Sequence, residues 1–539
     1  MLSARRRRYY VWVGVVGSIL IVLQLLYGGS RQEWVASMQA AELHHRSPSD
    51  PSITSQRVQE LLAQDGGKWN NNLPKRRVPH ISPTDKFLAY LPHSGFHNQR
   101  IELENALLLA NYLDRILLLP DIFLGPAMPW LKFDKLYERL LLQTKRGLEH
   151  CFNIPSDSPL PTECLNFFTW TTLPWSFLYD LDALRSKIRI IPRDDVSDEW
   201  MYANLGITEG NVEYLRDVTP FDFRVFDDPT STTLIGKYKE RVDLQFLQQK
   251  QARVLQFGSL FGTNRVLAQT PEHNDLLKFI RETMIFNNPV LLNIADKIAE
   301  LLGGNGTYLG VHLRVGDGNF AVDANINVDD IYHTLVDQIT DLSADEIDFW
   351  EGGTHNRDRQ KNLEYEVKRI QRQTIPGFGG IVNPETATAA QGKGLEKRAP
   401  LTTDRSLQLV PRPDNTEQCL GPFNDRTKKF TTRIYIGTDA PRPRKNPLLF
   451  KFFNTFPCIF TLDDFFDELE PLNYLVNEVD KVPLESSLIP LVDAMVAAKG
   501  FAFLGTPAST FSTYIERQLW PIYSGTGIKE VGVKKPQMN

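Results

Sequence analysis

The sequence predicts an α/β fold built on parallel β-sheets. Two series of short apolar strands carry this prediction, because each strand is followed by a polar or glycine-bearing loop and then by an apolar helix. Residues 86–91 open the first series, and residues 308–318 belong to the second. Ligands of parallel sheets bind beyond the carboxyl ends of the strands, so function is expected in the loops that follow.

Length and composition predict a protein with more than one domain, since 539 residues that are 42% hydrophobic can bury a large core. The formal net charge of −5 provides no basic field and argues against nucleic acid as a partner. The 4 cysteines lack the Cys-x-x-Cys spacing of a metal site. Two disulfides are allowed, and Cys151 and Cys164 are close enough in sequence to close a small loop.

The amino terminus resembles a membrane anchor. A cytoplasmic tail, residues 1–8, ends in four arginines and precedes the uncharged stretch 9–27, which is long enough to span the ~30 Å hydrocarbon core. The positive cluster predicts a single-pass type II topology, with polar residues 28–80 as a stem and a lumenal body. A cleaved signal peptide is the competing interpretation. Asn305 begins an N-glycosylation sequon, as a lumenal body would allow.

The first series predicts a parallel βαβ unit in an N-terminal domain, residues 81–287. A strand at 86–91 is followed by the loop His93 to Gln99, a helix from Ile101 to Leu113 and a strand at 116–119. The loop is a candidate binding edge, with an ordinary turn as the alternative.

The second series opens a C-terminal domain, residues 288–525, which a tail follows at 526–539. Asn288 and Pro289 predict a helix start. In the strand that follows, His312 and Arg314 alternate and should share one face near its carboxyl end. Arginine is a fixed cation with a planar fork of donors that suits phosphate, although a solvated arginine at the end of a core strand is the alternative.

Two later strands of this series also end in polar groups. Thr438 and Asp439 close one strand, and Ser509 and Thr510 lie at the amino end of the helix after another. Hydroxyls and amides at such a helix end accept anions, although capping alone is the alternative. The three strand ends should converge on a diphosphate site. The polar stretch of about 345–431 is predicted to be an inserted, partly disordered loop.

Four segments carry a resemblance to a known family: Gly95–Arg100, His312–Asp317, Gly437–Asp439, and Leu491 through Ser512. They resemble the motifs of the GT-B fucosyltransferases that group the protein O-fucosyltransferases with the α1,6-fucosyltransferases. The resemblance implies two Rossmann-like domains that face each other across a cleft, with GDP-fucose held by the C-terminal one.

The resemblance also implies ligand roles for individual residues. These are Arg314 at the β-phosphate, His312 at the nucleotide, Asp493 at the guanine edge, Ser509 and Thr510 at phosphate oxygens, Asn98 at the sugar or β-phosphate, and Asp317 and Asp439 either at the nucleotide or orienting Arg314. An arginine can stabilise the leaving diphosphate without a metal, so neither metal nor cofactor is expected.

The chain departs from the family pattern at several positions. Val315 stands where some members carry a second arginine, and His97 stands where many have glycine. Ser94 occupies the position of a glutamate base in one branch, so no base transfers from there. Asp323 is a candidate base, because another branch has a glutamate at about the same number of residues after the arginine. Without a base, an arginine-assisted dissociative displacement remains.

The sequence therefore predicts an inverting, metal-independent transferase that moves fucose from GDP-fucose to a protein or glycan acceptor, in the Golgi or endoplasmic reticulum membrane. Two alternatives stay open. One is a GT-B transferase of another nucleotide sugar, and the other is a catalytically silent, membrane-tethered protein that binds glycans or nucleotides.

Overall fold

The computed structural model describes residue 60 and residues 81–155, 158–316, 318–339 and 432–529. These residues belong to one compact unit, Arg57–Asn539. The predicted cytoplasmic tail, the membrane span, nearly all of the stem, the predicted insertion and residues 530–539 of the C-terminal tail lie outside the described residues. No described helix is both long and apolar enough to cross a membrane.

The described strands are short, and most of them are buried. In chain order they are β1 (Phe87–Ala89), β2 (Ile116–Pro120), β3 (Ile122–Leu124), β4 (Thr171–Leu173), β5 (Ile190–Arg193), β6 (Val212–Leu215), β7 (Phe223–Phe226), β8 (Glu240–Asp243), β9 (Val254–Phe257), β10 (Leu309–Leu313), β11 (Ile434–Thr438), β12 (Ile459–Phe460) and β13 (Ala502–Gly505).

The α-helices mostly connect these strands. In chain order they are α1 (Phe96–Tyr112), α2 (Phe133–Leu142), α3 (Leu181–Arg185), α4 (Asp198–Leu205), α5 (Leu244–Gln248), α6 (Pro271–Thr283), α7 (Pro289–Leu301), α8 (Gly318–Val322), α9 (Ala324–Ile339), α10 (Phe450–Thr455), α11 (Glu485–Ala498), α12 (Thr510–Tyr514) and α13 (Trp520–Tyr523). A short π-helix, Ile515–Leu519, joins α12 to α13, and a long 3₁₀ segment spans Leu462–Tyr474.

The first sheet, here the N-terminal sheet, has the strand order β5-β2-β1-β9-β6 and is parallel throughout. The predicted βαβ unit is confirmed. However, α1 begins at Phe96 and not at the predicted Ile101. Gln99 fixes this early start, since its side-chain amide donates to the carbonyl of Phe123 and accepts from that residue's amide, both at 2.9 Å. Asn98 therefore lies in the first helical turn, not in a loop.

The second sheet, here the C-terminal sheet, has the order β12-β11-β10-β13 and is also parallel. The predicted alternation along β10 is confirmed. Val311 and Leu313 pack in one apolar cluster with Leu335 of α9. On the other face, a Cβ at Gly310 would stand 1.8 Å from the carbonyl oxygen of Ala497, so the missing side chain lets α11 lie directly on the sheet.

Helix boundaries in the second series agree with the sequence at one helix and differ at another. The side chain of Asn288 caps α7 by accepting from the amide of Val290 at 3.1 Å, as predicted. In contrast, Pro490 predicts a helix start at that residue and Gly500 an end, whereas α11 begins at Glu485 and Pro490 lies inside it. Leu488 is fully buried, so packing supports the extra turn despite the proline. The α/β class with parallel sheets is confirmed, whereas the domain boundaries stay a prediction.

Candidate active site

The central strand of the C-terminal sheet places His312 and Arg314 at its carboxyl end. His312 is buried, and its Nδ1 lies 2.8 Å from the hydroxyl of Ser512. Burial, reinforced by the nearby Arg314 charge, lowers the pKa of His312 to about 3, so the ring is neutral at physiological pH. This histidine can therefore offer a ligand a hydrogen bond but not a charge.

Asp439, at the end of the neighbouring strand β11, holds the turn that follows Arg314. One carboxylate oxygen accepts from the amides of Val315 and Gly316 at 2.7 and 3.1 Å, and the other lies 3.8 Å from Arg314 Nε. The side chains of Arg314 and Asp439 remain 29% and 38% exposed, so a ligand can reach both. This geometry favours the predicted orienting role of Asp439.

Thr506, which sequence reasoning missed, ties the third strand end to this turn. Its hydroxyl accepts from the amide of Arg314 at 2.9 Å and donates to the carbonyl of His312 at 3.1 Å. Its position directly after the apolar strand β13 is the signal that the sequence offers. Thr506 fixes the backbone from which the guanidinium projects.

Ser509 and Thr510 take different positions at the start of α12. Ser509 is buried, and its hydroxyl accepts from the amide of Ser512 at 3.2 Å, which confirms the predicted helix cap. Thr510 instead donates to the side-chain oxygen of Asn98 at 3.3 Å. A phosphate role for either hydroxyl stays a prediction.

Asn98 and its neighbour His97 bring the amino end of α1 against the C-terminal sheet. The His97 ring stacks on Phe511 with centroids 3.6 Å apart, and both of its ring nitrogens are buried without a hydrogen-bond partner in the described residues. Burial lowers the pKa of His97, and the charges of Arg100 and Arg314 lower it further. The two predicted binding edges therefore meet.

Asp493 lies on α11 beneath the end of β11. Its carboxylate accepts from the hydroxyl of Tyr435 at 2.6 Å, and a Cβ at Gly437 would stand only 2.9 Å from it. Burial raises the pKa of Asp493 to about 7, although the Tyr435 hydrogen bond opposes the shift. The carboxyl can thus change its charge near neutral pH.

Three other predicted residues remain to be placed. Asp317 falls on a residue that the structure does not describe. Asp323 lies between α8 and α9, and its role as a base stays a prediction. Asn305 is exposed in the turn before β10, where a glycan could be attached.

A disulfide joins Cys151 and Cys164, as their spacing had allowed. His150 lies beside it, with Nε2 3.8 and 3.6 Å from the two sulfurs, so the three side chains could surround a metal ion by distance alone. Metals require thiolates, and both sulfurs are already bonded to each other. Neither sulfur is therefore available to bind a metal ion as a thiolate.

Comparison with known proteins supports the family resemblance in a short segment. O-fucosyltransferase 30 of Arabidopsis thaliana is 60% identical over 37 residues, which are 7% of this chain and 7% of that protein. The chain resembles the O-fucosyltransferases. No protein-family model matches it.

Solved structures of POFUT1 are also similar to this chain. The structure in complex with GDP has a TM-score of 0.34 and 11% identity, and the match covers 83% of this chain and 98% of that one. The structure in complex with GDP-fucose has a TM-score of 0.32 and 11% identity, with 84% and 97% covered.

Proposed function

We propose that this protein is an inverting, metal-independent glycosyltransferase that moves fucose from GDP-fucose to a protein or glycan acceptor. The observation that carries the proposal is the meeting of two strand edges. The partly exposed guanidinium of Arg314 lies at one edge, and Asn98 from the other edge touches Thr510. Such a junction suits a donor whose diphosphate is held on one side and whose sugar faces the other.

Arg314 would stabilise the leaving group. When the bond between the sugar and the β-phosphate breaks, negative charge develops on the departing diphosphate. A permanently charged guanidinium with forked donors stabilises that charge without a metal. Asp439 and Thr506 hold the backbone around Arg314, so little reorganisation is needed during the reaction.

Nucleotide recognition would fall to the buried polar groups of the C-terminal sheet. Asp493, when ionised, would accept from the guanine edge, and neutral His312 would bond to the nucleotide without repelling Arg314. The hydroxyls of Ser509 and Thr510 would lie near phosphate oxygens. The acceptor would approach from the side of Asn98.

Secretory localisation is part of the proposal. The Cys151–Cys164 disulfide is typical of an oxidising compartment, and the sequon residue Asn305 is exposed. Together with the apolar stretch 9–27, these features favour a type II protein of the Golgi or endoplasmic reticulum membrane with a lumenal body.

Isothermal titration of the full-length protein with GDP, GDP-fucose, UDP and UDP-glucose tests the proposal. Binding of GDP and GDP-fucose without binding of the uridine compounds is expected, followed by release of GDP from GDP-fucose. Failure to bind any guanine nucleotide would overturn the proposal. Binding without turnover would favour the silent alternative, and preference for a uridine sugar would favour another donor.

A further inference from the structure

A buried polar cluster lies at the carboxyl edge of the N-terminal sheet, and its histidine begins the loop that the sequence predicts as a candidate binding edge. It consists of His93 after β1, Glu102 on α1 and Ser259 after β9, which are at most 3% exposed. The Nδ1 of His93 lies 2.5 Å from a Glu102 oxygen, and the Ser259 hydroxyl donates to the same oxygen at 2.8 Å. The other Glu102 oxygen accepts from the amide of His93 at 3.1 Å.

These contacts fix where the protons lie. A carboxylate only accepts hydrogen bonds, so His93 Nδ1 must carry the proton that it shares with Glu102. The Ser259 hydroxyl gives its own proton to Glu102 and accepts from the amide of Phe261 at 3.0 Å. The Ser259 oxygen also lies 2.9 Å from His93 Nδ1 and can accept from the same N–H. The lone pair of the neutral imidazole is therefore on Nε2, and the described hydrogen bonds of His93 involve only its amide and Nδ1.

The loop that bears His93 is held by hydrogen bonds on its way into α1. The amide of Ser94 donates to the carbonyl of Met128 at 2.8 Å, and Gln99 donates to the carbonyl of Ser94 at 3.2 Å. Ser94 itself adopts a left-handed conformation with φ of 66°. His93 precedes Asn98 by five residues in sequence, so this loop leads directly into the helix start that meets the C-terminal sheet.

A purely structural role accounts poorly for this arrangement. Burying a carboxylate is costly, and an apolar pair of similar volume usually stabilises a core as well or better. Here Glu102 receives three donors, and their combined effect is to orient one imidazole nitrogen. Carboxylate-oriented histidines with one open nitrogen are suited to taking protons from hydroxyls.

We propose that His93, positioned by Glu102, is the general base for the acceptor; this inference rests on the proposed fucosyl transfer. The acceptor hydroxyl oxygen forms a bond to the anomeric carbon of fucose as the bond from that carbon to the β-phosphate oxygen breaks. The bonding electron pair leaves with GDP. The hydroxyl proton passes to His93 Nε2, and Glu102 stabilises the resulting imidazolium until the proton is released to solvent.

His93→Asn tests this role, because the asparagine amide can replace Nδ1 as the donor to Glu102 while Nε2 is lost. The assay measures GDP released when the full-length protein hydrolyses GDP-fucose, with water as the acceptor. Titration with GDP reports on the donor site separately. A roughly 100-fold slower release with GDP affinity within twofold of wild type is expected. Release at the wild-type rate would overturn the assignment.

The chain offers a matched control in a second histidine–carboxylate pair. On α6, the Nδ1 of His273 lies 2.8 Å from a carboxylate oxygen of Asp227. The His273 ring stacks on Tyr112, which is the last residue of α1 and lies at the opposite end of that helix from Asn98. His273→Asn removes the equivalent nitrogen and should leave GDP release unchanged. If both variants lose activity equally, the loss comes from packing and the assignment to His93 fails.

Chemical rescue distinguishes a catalytic role of His93 from a structural one. Adding imidazole to His93→Ala should restore part of the GDP release, since a free base can enter the space left by the ring. Absence of rescue in a variant that still binds GDP would contradict the inference. If wild-type protein itself fails to bind GDP-fucose, the proposed function fails first, so the two failures can be told apart.

Discussion

The carboxyl edges of the two parallel sheets differ in how their charges are satisfied. At the C-terminal sheet, Arg314 and Asp439 face each other at 3.8 Å and stay partly exposed. At the N-terminal sheet, Glu102 and Arg265 are fully buried, and their hydrogen bonds go to groups within the protein. The first edge offers charge to a ligand, whereas the second uses charge to fix its own geometry. Substitution of the exposed Arg314 should therefore affect ligand chemistry, whereas substitution of the buried Arg265 should affect stability.

The largest effect is expected at Arg314. Arg314→Ala should slow GDP release from GDP-fucose by about 1000-fold, because the leaving diphosphate loses its counter-charge. Arg314→Lys should also lose most activity, since an ammonium lacks the forked donors. Thermal unfolding should change little because the side chain is partly exposed. Arg185→Ala, on an exposed surface, is the control. Near-normal turnover in Arg314→Ala would remove this residue from the mechanism.

Arg265 tests the other edge. Its guanidinium is buried and donates to the carbonyls of Ser259 and Pro220 at 2.5 and 2.6 Å. Arg265→Met should lower the free energy of unfolding by about 3 kcal/mol, since those carbonyls and the nearby carboxylate of Asp217 lose their buried partner. Urea unfolding measures this loss. The protein that remains folded should still bind GDP. A loss of GDP binding without destabilisation would contradict the structural role assigned to Arg265.

Asp493 makes nucleotide binding depend on pH. Burial raises its pKa to about 7, and protonation turns one of its acceptor oxygens into a donor, which cannot pair with the N–H groups of the guanine edge. GDP affinity should therefore rise as pH increases through 7, by roughly tenfold per pH unit below that value. Titrations between pH 5.5 and 8.5 measure the slope. Asp493→Asn should bind more weakly and lose this dependence, and an unchanged slope in the variant would exclude Asp493 as its source.

The contact between the edges should have the smallest effect. Asn98 and Thr510 share one hydrogen bond of 3.3 Å, so a double-mutant cycle with Asn98→Ala and Thr510→Val should give a coupling of about 1 kcal/mol in unfolding free energy. Additive losses would show that the two side chains are not coupled in solution.

Local patterns made much of the fold predictable from sequence. The alternation along β10 and the Asn288 cap depend on residues close together in the chain, so the sequence shows them directly. The start of α1 was predicted five residues late because a contact between Gln99 and Phe123 decides it. Contacts of this kind leave no periodic signal.

The candidate site was predictable only where strand ends carry distinctive residues. His312, Arg314 and Asp439 stand out as polar tips of apolar runs, and the structure brings them together as expected. The His93 cluster could not be predicted, since Ser259 follows Glu102 by 157 residues and only the fold joins them.

The configuration of the released sugar tests the central claim most directly. Proton NMR of the full-length protein with GDP-fucose, followed before mutarotation, identifies the first anomer of free fucose. Inverting transfer to water predicts release of the anomer opposite to that of the donor, and Arg314→Ala should release almost none. Release of the donor's own anomer would contradict the inverting mechanism, and no release from wild-type protein would contradict the assignment as a fucosyltransferase.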